Sequence, residues 1–196
     1  MADSEHNLKG NPRFVSAYIG IGSNEGDRVG FVQQCMQFLK DVPGITVKES
    51  SSLYETEPMG VGYSAWFVNA VAAVETSLSP EQLLVVCKEI EKRLLDFYAT
   101  QNIKNELIME TVVQGRRRII DIDILFYGDA ILDSDDLRIP HPTVAQRSYA
   151  LVPLLEIAPN FIHPRLQKSI AQIHDGLSRP EQVFLYGTRG ANGQMS

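Results

Sequence analysis

Asp121 and Asp123 stand two residues apart inside an apolar run, Ile119 to Phe126. The run reads as a β-strand. Successive strand side chains alternate faces, so the two acids share one face, and Ile120, Ile122, Ile124 and Phe126 take the other. Same-face Cα atoms lie about 6.5–7 Å apart along a strand. Carboxylates so spaced can bracket one or two divalent cations, which in two-metal sites sit about 3.5–4 Å apart. Arg116, Arg117 and Arg118 come immediately before. An acid pair beside a cationic cluster suits a metal-bound polyphosphate. In isolation the same spacing also describes the solvated face of a half-exposed sheet, with the arginines on a surface turn. The surroundings of the motif decide between the two.

The chain has 196 residues, 44% of them hydrophobic and 21% charged. That is ordinary for one soluble domain with room for a real core. A net charge of -6 argues against a general nucleic-acid binder, which carries a basic footprint. A local arginine cluster is still compatible with a nucleotide site. Cys35 and Cys87 fall on separate predicted helices without metal or redox spacing, so they read as buried thiols. No 18-residue apolar run occurs, and Met1 to Pro12 carries no signal-peptide core. These features point to a reducing, cytoplasmic setting and to no membrane partner.

The elements that must position the acids follow from periodicity. Phe14 to Ile21 reads as a strand running into Gly20-Ile21-Gly22-Ser23-Asn24. Asp27 is placed to cap a helix reaching about Leu39, with Phe31, Cys35 and Phe38 on one face. Ile45 to Leu53 alternates as a second strand, Tyr54 to Ser64 reads as a loop, and Trp66 to Val74 as a third strand. Ser79-Pro80-Glu81-Gln82 is a helix start, and Leu83, Cys87, Ile90 and Leu94 keep helical spacing to about Leu95. Ile103 to Val113 fits either a helix or a hairpin arm. The acid-bearing strand comes next, then a short hairpin over Asp129 to Ile139 and the rigid Pro140-His141-Pro142. Ala150 to Ile157 and Leu166 to Ile173 are short helices. The expected domain is 14–176, with disordered ends at 1–13 and 187–196. The order strand–helix–strand–strand–helix–strand predicts an α+β, ferredoxin-like antiparallel sheet with helices on one face. A small C-terminal helical and hairpin extension would follow.

Four segments together closely resemble 6-hydroxymethyl-7,8-dihydropterin pyrophosphokinase, a family of folate biosynthesis. They are Tyr18 to Asn24; Tyr54 to Gly60 with Trp66 to Ala70; Arg118 to Leu125; and Pro140-His141-Pro142 with Arg147 and Pro153 to Pro159. The resemblance spans roughly residues 15–175. It implies transfer of pyrophosphate from ATP to the pterin hydroxymethyl group with release of AMP. It implies that Asp121 and Asp123 hold two Mg²⁺ ions, which prefer oxygen ligands, and that Arg118 contacts ATP. Phe67 and Tyr149 would sandwich the pterin ring. Asn69 would read the ring's amide edge, because one Asn side chain both donates and accepts. Backbone groups of Thr56 and Met59 would complete that edge. His141 and Arg147 match positions that contact nucleotide phosphates, and Glu91 matches a glutamate at the edge of the site. The partners implied are ATP and the pterin, with no nucleic acid. The protein is expected to be a monomer, a dimer staying open.

The chain departs from the family at Leu95 to Gln114, which replaces a shorter arginine-bearing loop. Arg116, Arg117 or Lys104 is the available substitute. A catalytically impaired pterin- and nucleotide-binding paralogue is the alternative that this difference keeps open. An RNA-binding sheet shares the strand order, but here the strand faces carry Asp and Asn in an acidic chain.

Overall fold

The computed structural model describes residues 14–58, 65–101 and 118–187. In chain order the elements are β1 (Val15–Ser23), α1 (Arg28–Asp41), β2 (Ile45–Ser50), β3 (Tyr54–Thr56), β4 (Phe67–Thr76) and α2 (Pro80–Gln101). They continue with β5 (Asp121–Tyr127), β6 (Leu132–Asp133), β7 (Arg138–Ile139), a 3₁₀ turn (Val144–Gln146), α3 (Ser148–Ile157), α4 (Ile170–Asp175) and β8 (Val183–Leu185).

The helix starts are chemically marked. Asp27 accepts from the Gly30 amide at 2.9 Å. Ser79 and Gln82 exchange side-chain and backbone bonds at the head of α2, and Ser169 and Gln172 do the same for α4. Each such cap contributes about 0.5–2 kcal/mol. α2 runs to Gln101, beyond the Leu95 expected from periodicity, and still buries Tyr98.

All pairings in the main sheet are antiparallel, in the order β5-β1-β4-β3-β8. β2 lies along the other half of the β4 edge that β3 occupies. The strand expected over Ile45 to Leu53 is therefore broken, and Tyr54–Thr56, expected as loop, resumes it. Ser51 makes the break tolerable. Its amide donates to Val71 O and its hydroxyl accepts from Val71 N, both at 2.9 Å, so β4 keeps its bonds where the strand departs. β8 was not legible as a strand, and it pairs with β3. β6 and β7 form the expected hairpin as a separate two-stranded sheet.

Two cores result. One lies between α1, α2 and the first sheet face, filled by Ile19, Ile21, Leu39, Val68, Leu83, Leu94 and Ile122 among others. Both free cysteines are buried there. The second lies on the opposite face, under α3 and α4, around Phe126, Leu151, Leu154 and Ile170. The C-terminal helices thus cover part of the face that the sequence reading left open. Each fully buried Leu, Ile or Phe contributes about 1.5–3 kcal/mol of transfer free energy.

One expectation about β5 is corrected. The register against β1 slips between Tyr18 and Ile19, pairing Tyr18 with Phe126 but Ile19 with Ile124. A bulged residue restarts the alternation. Ile122 and Ile124 face the helices as expected, but Leu125 and Phe126 both join the second core. There the Phe126 ring meets Phe161 at 4.7 Å and Tyr18 at 6.2 Å. Phe126→Ala should destabilise the fold by about 3–5 kcal/mol in urea unfolding, the range for emptying a packed aromatic site. A loss near zero would mean that the ring is not packed as described.

Candidate active site

The open part of the second face is a cleft where β1, β4, β5 and α3 meet. Its lining includes Gly20, Gly22, Thr56, Glu57, Phe67, Asn69, Arg118, Asp121, Asp123, Arg147 and Tyr149. The cleft encloses about 150 Å³. Voids of roughly that size elsewhere take up a benzene ring. Most of the residues named from the sequence are therefore brought together. Met59 lies outside the described residues, as do Lys104, Arg116, Arg117 and most of Leu95 to Gln114.

Glycines give the floor its shape. A Cβ on Gly22 would fall 2.5 Å from Asn69 Oδ1, so the amide lies against bare backbone. Asn69 is nearly buried, and its Nδ2 donates to Thr56 Oγ1 at 2.6 Å. That bond fixes which way the amide points and leaves Oδ1 and one N–H available. Phe67 sits two residues earlier on the same face of β4, while Val68 faces the helices. Trp66 packs on Phe184 at 5.9 Å, and its carbonyl accepts from Arg28 at 2.7 Å.

The acids are held by an ordered charge set. Arg118 pairs with Asp121 through its Nη1. The backbone of Arg118 is pinned on both sides by Asn24, whose Oδ1 accepts from Arg118 N at 2.6 Å and whose N donates to Arg118 O at 3.0 Å. Asn24 closes the Gly-x-Gly-Ser-Asn run, so this glycine-rich segment anchors the cation beside the acids. Asp123 faces His141, with Nε2 and Oδ1 3.9 Å apart. The His141 backbone amide donates to Leu125 O at 3.0 Å, on the bulged stretch of β5.

Burial, and then the neighbouring Asp121 charge, push the Asp123 carboxyl above its ordinary range, with His141, Lys88 and Arg118 opposing. Burial pulls Lys88 down, but its bonds to Glu91 and the fields of the two aspartates outweigh that and hold it up. Glu91 does not line the cleft. Its Oε1 accepts from the Ile122 amide at 2.8 Å, between the two acids in sequence, and it pairs with Lys88 at 2.8 Å. It steadies the edge of β5 that faces away from β1.

Asp123 also lines a second recess, with Leu84, Lys88, Leu137, Arg138 and His141. One carboxylate is thus shared by a recess with an aromatic and an amide and by a recess whose aliphatic walls carry both charges, Asp135 and Asp136 standing with Lys88 and Arg138.

Among the described residues, no group of three or more His, Cys, Asp or Glu side chains could by itself cage a metal ion. Two carboxylates alone fit Mg²⁺, which is usually held by one or two acids, with water and phosphate oxygens completing the shell.

The family described as 7,8-dihydro-6-hydroxymethylpterin-pyrophosphokinase (HPPK) matches residues 18–159. This chain belongs to the HPPK family. It is 38% identical over 149 residues to the 2-amino-4-hydroxy-6-hydroxymethyldihydropteridine pyrophosphokinase of Methylorubrum extorquens, covering 74% of this chain and 84% of that one. It is 40% identical over 175 residues to the folic acid synthesis protein fol1 of Pneumocystis carinii. That match covers 87% of this chain but only 22% of the relative, so the chain spans about a fifth of the fungal protein's length. Among solved structures, wild-type Plasmodium falciparum HPPK-DHPS with pteroate superposes with a TM-score of 0.62 at 16% identity, covering 83% of this chain and 44% of that one. At that identity the likeness speaks to the HPPK fold alone.

Two contributors were missed in the sequence. Asn24 was quoted within its motif but given no task. Glu181, which pairs with Arg147, had no periodicity or motif to mark it.

A stability consequence follows from the raised Asp123 carboxyl. An acid whose folded value lies above its unfolded one binds its proton more tightly in the native state. Stability then falls as pH rises through the interval between the two values. At neutral pH, in metal-free protein, Asp123 is therefore destabilising. Asp123→Asn should raise the thermal midpoint at neutral pH without metal, the gain shrinking toward pH about 4, where an ordinary carboxylate also protonates. The same substitution should remove stabilisation by added Mg²⁺. An unchanged Mg²⁺ response would show that Asp123 holds no metal.

Proposed function

We propose that this chain transfers pyrophosphate from ATP to the hydroxymethyl group of 6-hydroxymethyl-7,8-dihydropterin, releasing AMP, as a step of folate biosynthesis. Family membership and bacterial relatives that bear the enzyme's name and are matched over most of their length support this reading. One observation carries it furthest: Asp123 stands on the wall common to two recesses of different lining, one with Phe67 and Asn69 and one with Lys88, Arg138 and His141 beside Asp135 and Asp136. The impaired-paralogue reading is not favoured, because the acid pair, Arg118, Asn69 and Phe67 all line one cleft.

The pterin would lie between Phe67 and Tyr149, its amide edge against Asn69 and the backbone near Thr56. The nucleotide would enter from the recess beside His141, with its phosphates toward Arg118 and Arg147. Glu91 would act from behind β5 rather than by contact. The pterin hydroxyl oxygen attacks the β-phosphorus. A bond from that oxygen to the β-phosphorus forms, and the bond from the β-phosphorus to the α,β-bridging oxygen breaks. The bridging oxygen leaves with AMP, and the proton of the attacking hydroxyl is released to solvent. Little covalent work falls to the protein; its task is alignment and offsetting charge. Asp121 and Asp123 would hold two Mg²⁺ ions, which would supply Lewis-acid stabilisation of the phosphate oxygens and help orient the attacking hydroxyl.

The strand order, with the first and third long strands central, supports a ferredoxin-like assignment for a single domain over 14–176, which β8 then extends. Free, buried cysteines are in keeping with a reducing compartment, and we place the enzyme in the cytoplasm. No helix of the described residues is long and apolar enough to cross a membrane.

Purified protein given ATP, Mg²⁺ and the hydroxymethyl pterin should release AMP, and release of ADP or of no nucleotide product would reject the activity. Asp123→Ala should lower kcat by at least about a hundredfold while the fold survives. A variant with near-normal turnover would remove the acid from the mechanism. Gly22→Ala should push the Asn69 amide aside and weaken pterin binding by about tenfold or more, the loss expected when a buried polar partner is misplaced. Calorimetry showing unchanged pterin affinity would count against edge recognition by Asn69.

A further inference from the structure

Arg147 reaches the cleft with only one edge of its guanidinium engaged. Its Nε lies 2.6 Å from Glu181 Oε1, an ion pair whose geometry is not that of a hydrogen bond. A guanidinium carries five N–H donors in a rigid planar fork. Among the described residues, no acceptor takes the four donors on its two terminal nitrogens. The Tyr149 ring lies 5.2 Å from the guanidinium carbon and limits its swing.

The acid that engages Arg147 is almost fully buried, with a side chain 2% exposed. Its second oxygen accepts from the Ser148 amide at 2.7 Å. One carboxylate therefore grips both the arginine and the first turn of α3, which follows it. Burial opposes ionisation of Glu181, but the Ser148 bonds and the Arg147 charge outweigh it, so the carboxyl stays below the usual range. The carrier of Glu181 is itself tied to the cleft. Glu57 N donates to Gln182 O at 3.0 Å, and Val183 pairs with Thr56 in the β3–β8 register. Glu57 and Thr56 both line the cleft. The stretch that supplies Glu181 lies beyond residue 159, where the family match ends.

We infer that Glu181 is a positioning residue for the reaction. It fixes the Nε edge of Arg147 so that both terminal nitrogens face an anionic oxygen of the nucleotide. The assignment rests on the pyrophosphokinase reading for the identity of that anion. Without the carboxylate, the fork is free to turn about its Cδ–Nε bond and loses alignment. A chain segment outside the matched family region thereby becomes part of the working site.

The test is a double-mutant cycle on the full chain. It reads affinity for a non-hydrolysable ATP analogue with Mg²⁺ by calorimetry, alongside kcat and KM for ATP. Glu181→Gln keeps the shape and an acceptor for Ser148 N, but it removes the charge facing Nε. It should weaken nucleotide binding and raise KM for ATP by about 10–100-fold, the usual consequence of losing a partner that orients a contacting group. Pterin affinity should not change. Glu181→Asp should recover part of the loss, and it carries the same cycle if Glu181→Gln does not fold. In an Arg147→Ala background, Glu181→Gln should have no further effect on nucleotide affinity. Effects that multiply would show that Glu181 merely supports the fold, and the inference fails. It fails equally if either single substitution leaves nucleotide affinity untouched. Absence of AMP from the unaltered enzyme would instead reject the proposed activity, and the binding cycle does not depend on turnover.

Discussion

Two like charges forced onto one face of β5 are the constraint around which the cleft is arranged. Left alone, adjacent carboxylates in a part-buried cleft repel, and one takes up a proton. Here the repulsion is met from several directions. Arg118 pairs with Asp121, His141 faces Asp123, and Lys88 approaches from α2. The backbone that carries Arg118 is clamped by Asn24, and the strand between the acids is steadied by Glu91. The remaining imbalance is what a hard cation would relieve.

Much of this was legible in the sequence. Period-two alternation placed Asp121 and Asp123 together, and period 3.6 gave both long helices. The placing of Phe67 and Asn69 on one strand face marked a wall of the cleft before any topology was known. What stayed hidden has identifiable causes. The bulge beside Leu125 reversed the side-chain alternation, which no composition rule signals. Ser51 replaced a backbone acceptor with a hydroxyl and let one long strand become two short ones. Glu181 and β8 are recruited by long-range pairing with β3, and their local sequence carries no strong strand period. Glu91 was named only because it matches a family glutamate at the edge of the site; that its carboxylate accepts from the Ile122 amide depends on how α2 packs beside β5, which no local pattern signals.

The sheet divides labour between its two faces. The face under α1 and α2 is closed and apolar, and it supplies stability. The opposite face is shared: α3 and α4 seal one part, and the rest, floored by Gly20 and Gly22, stays open. α3 belongs to both regions. Its first turn brings Arg147 and Tyr149 to the cleft, and its later residues Leu151 and Leu154 fill the core. The helix that walls the cleft is therefore fixed by its own hydrophobic packing rather than by any ligand.

The irregular step in β5 makes that strand two segments in different phase. Before the step, odd positions face the cleft and even positions serve the helix-side core. After it, neighbouring residues Leu125 and Phe126 both feed the opposite core. An insertion or deletion of one residue upstream would therefore do more than shift a loop. It would rotate both acids into hydrocarbon and expose isoleucines to water, a double loss that no single substitution elsewhere could offset. Change in this strand is confined to exchanging residues in place; its length is fixed by the phase it must keep.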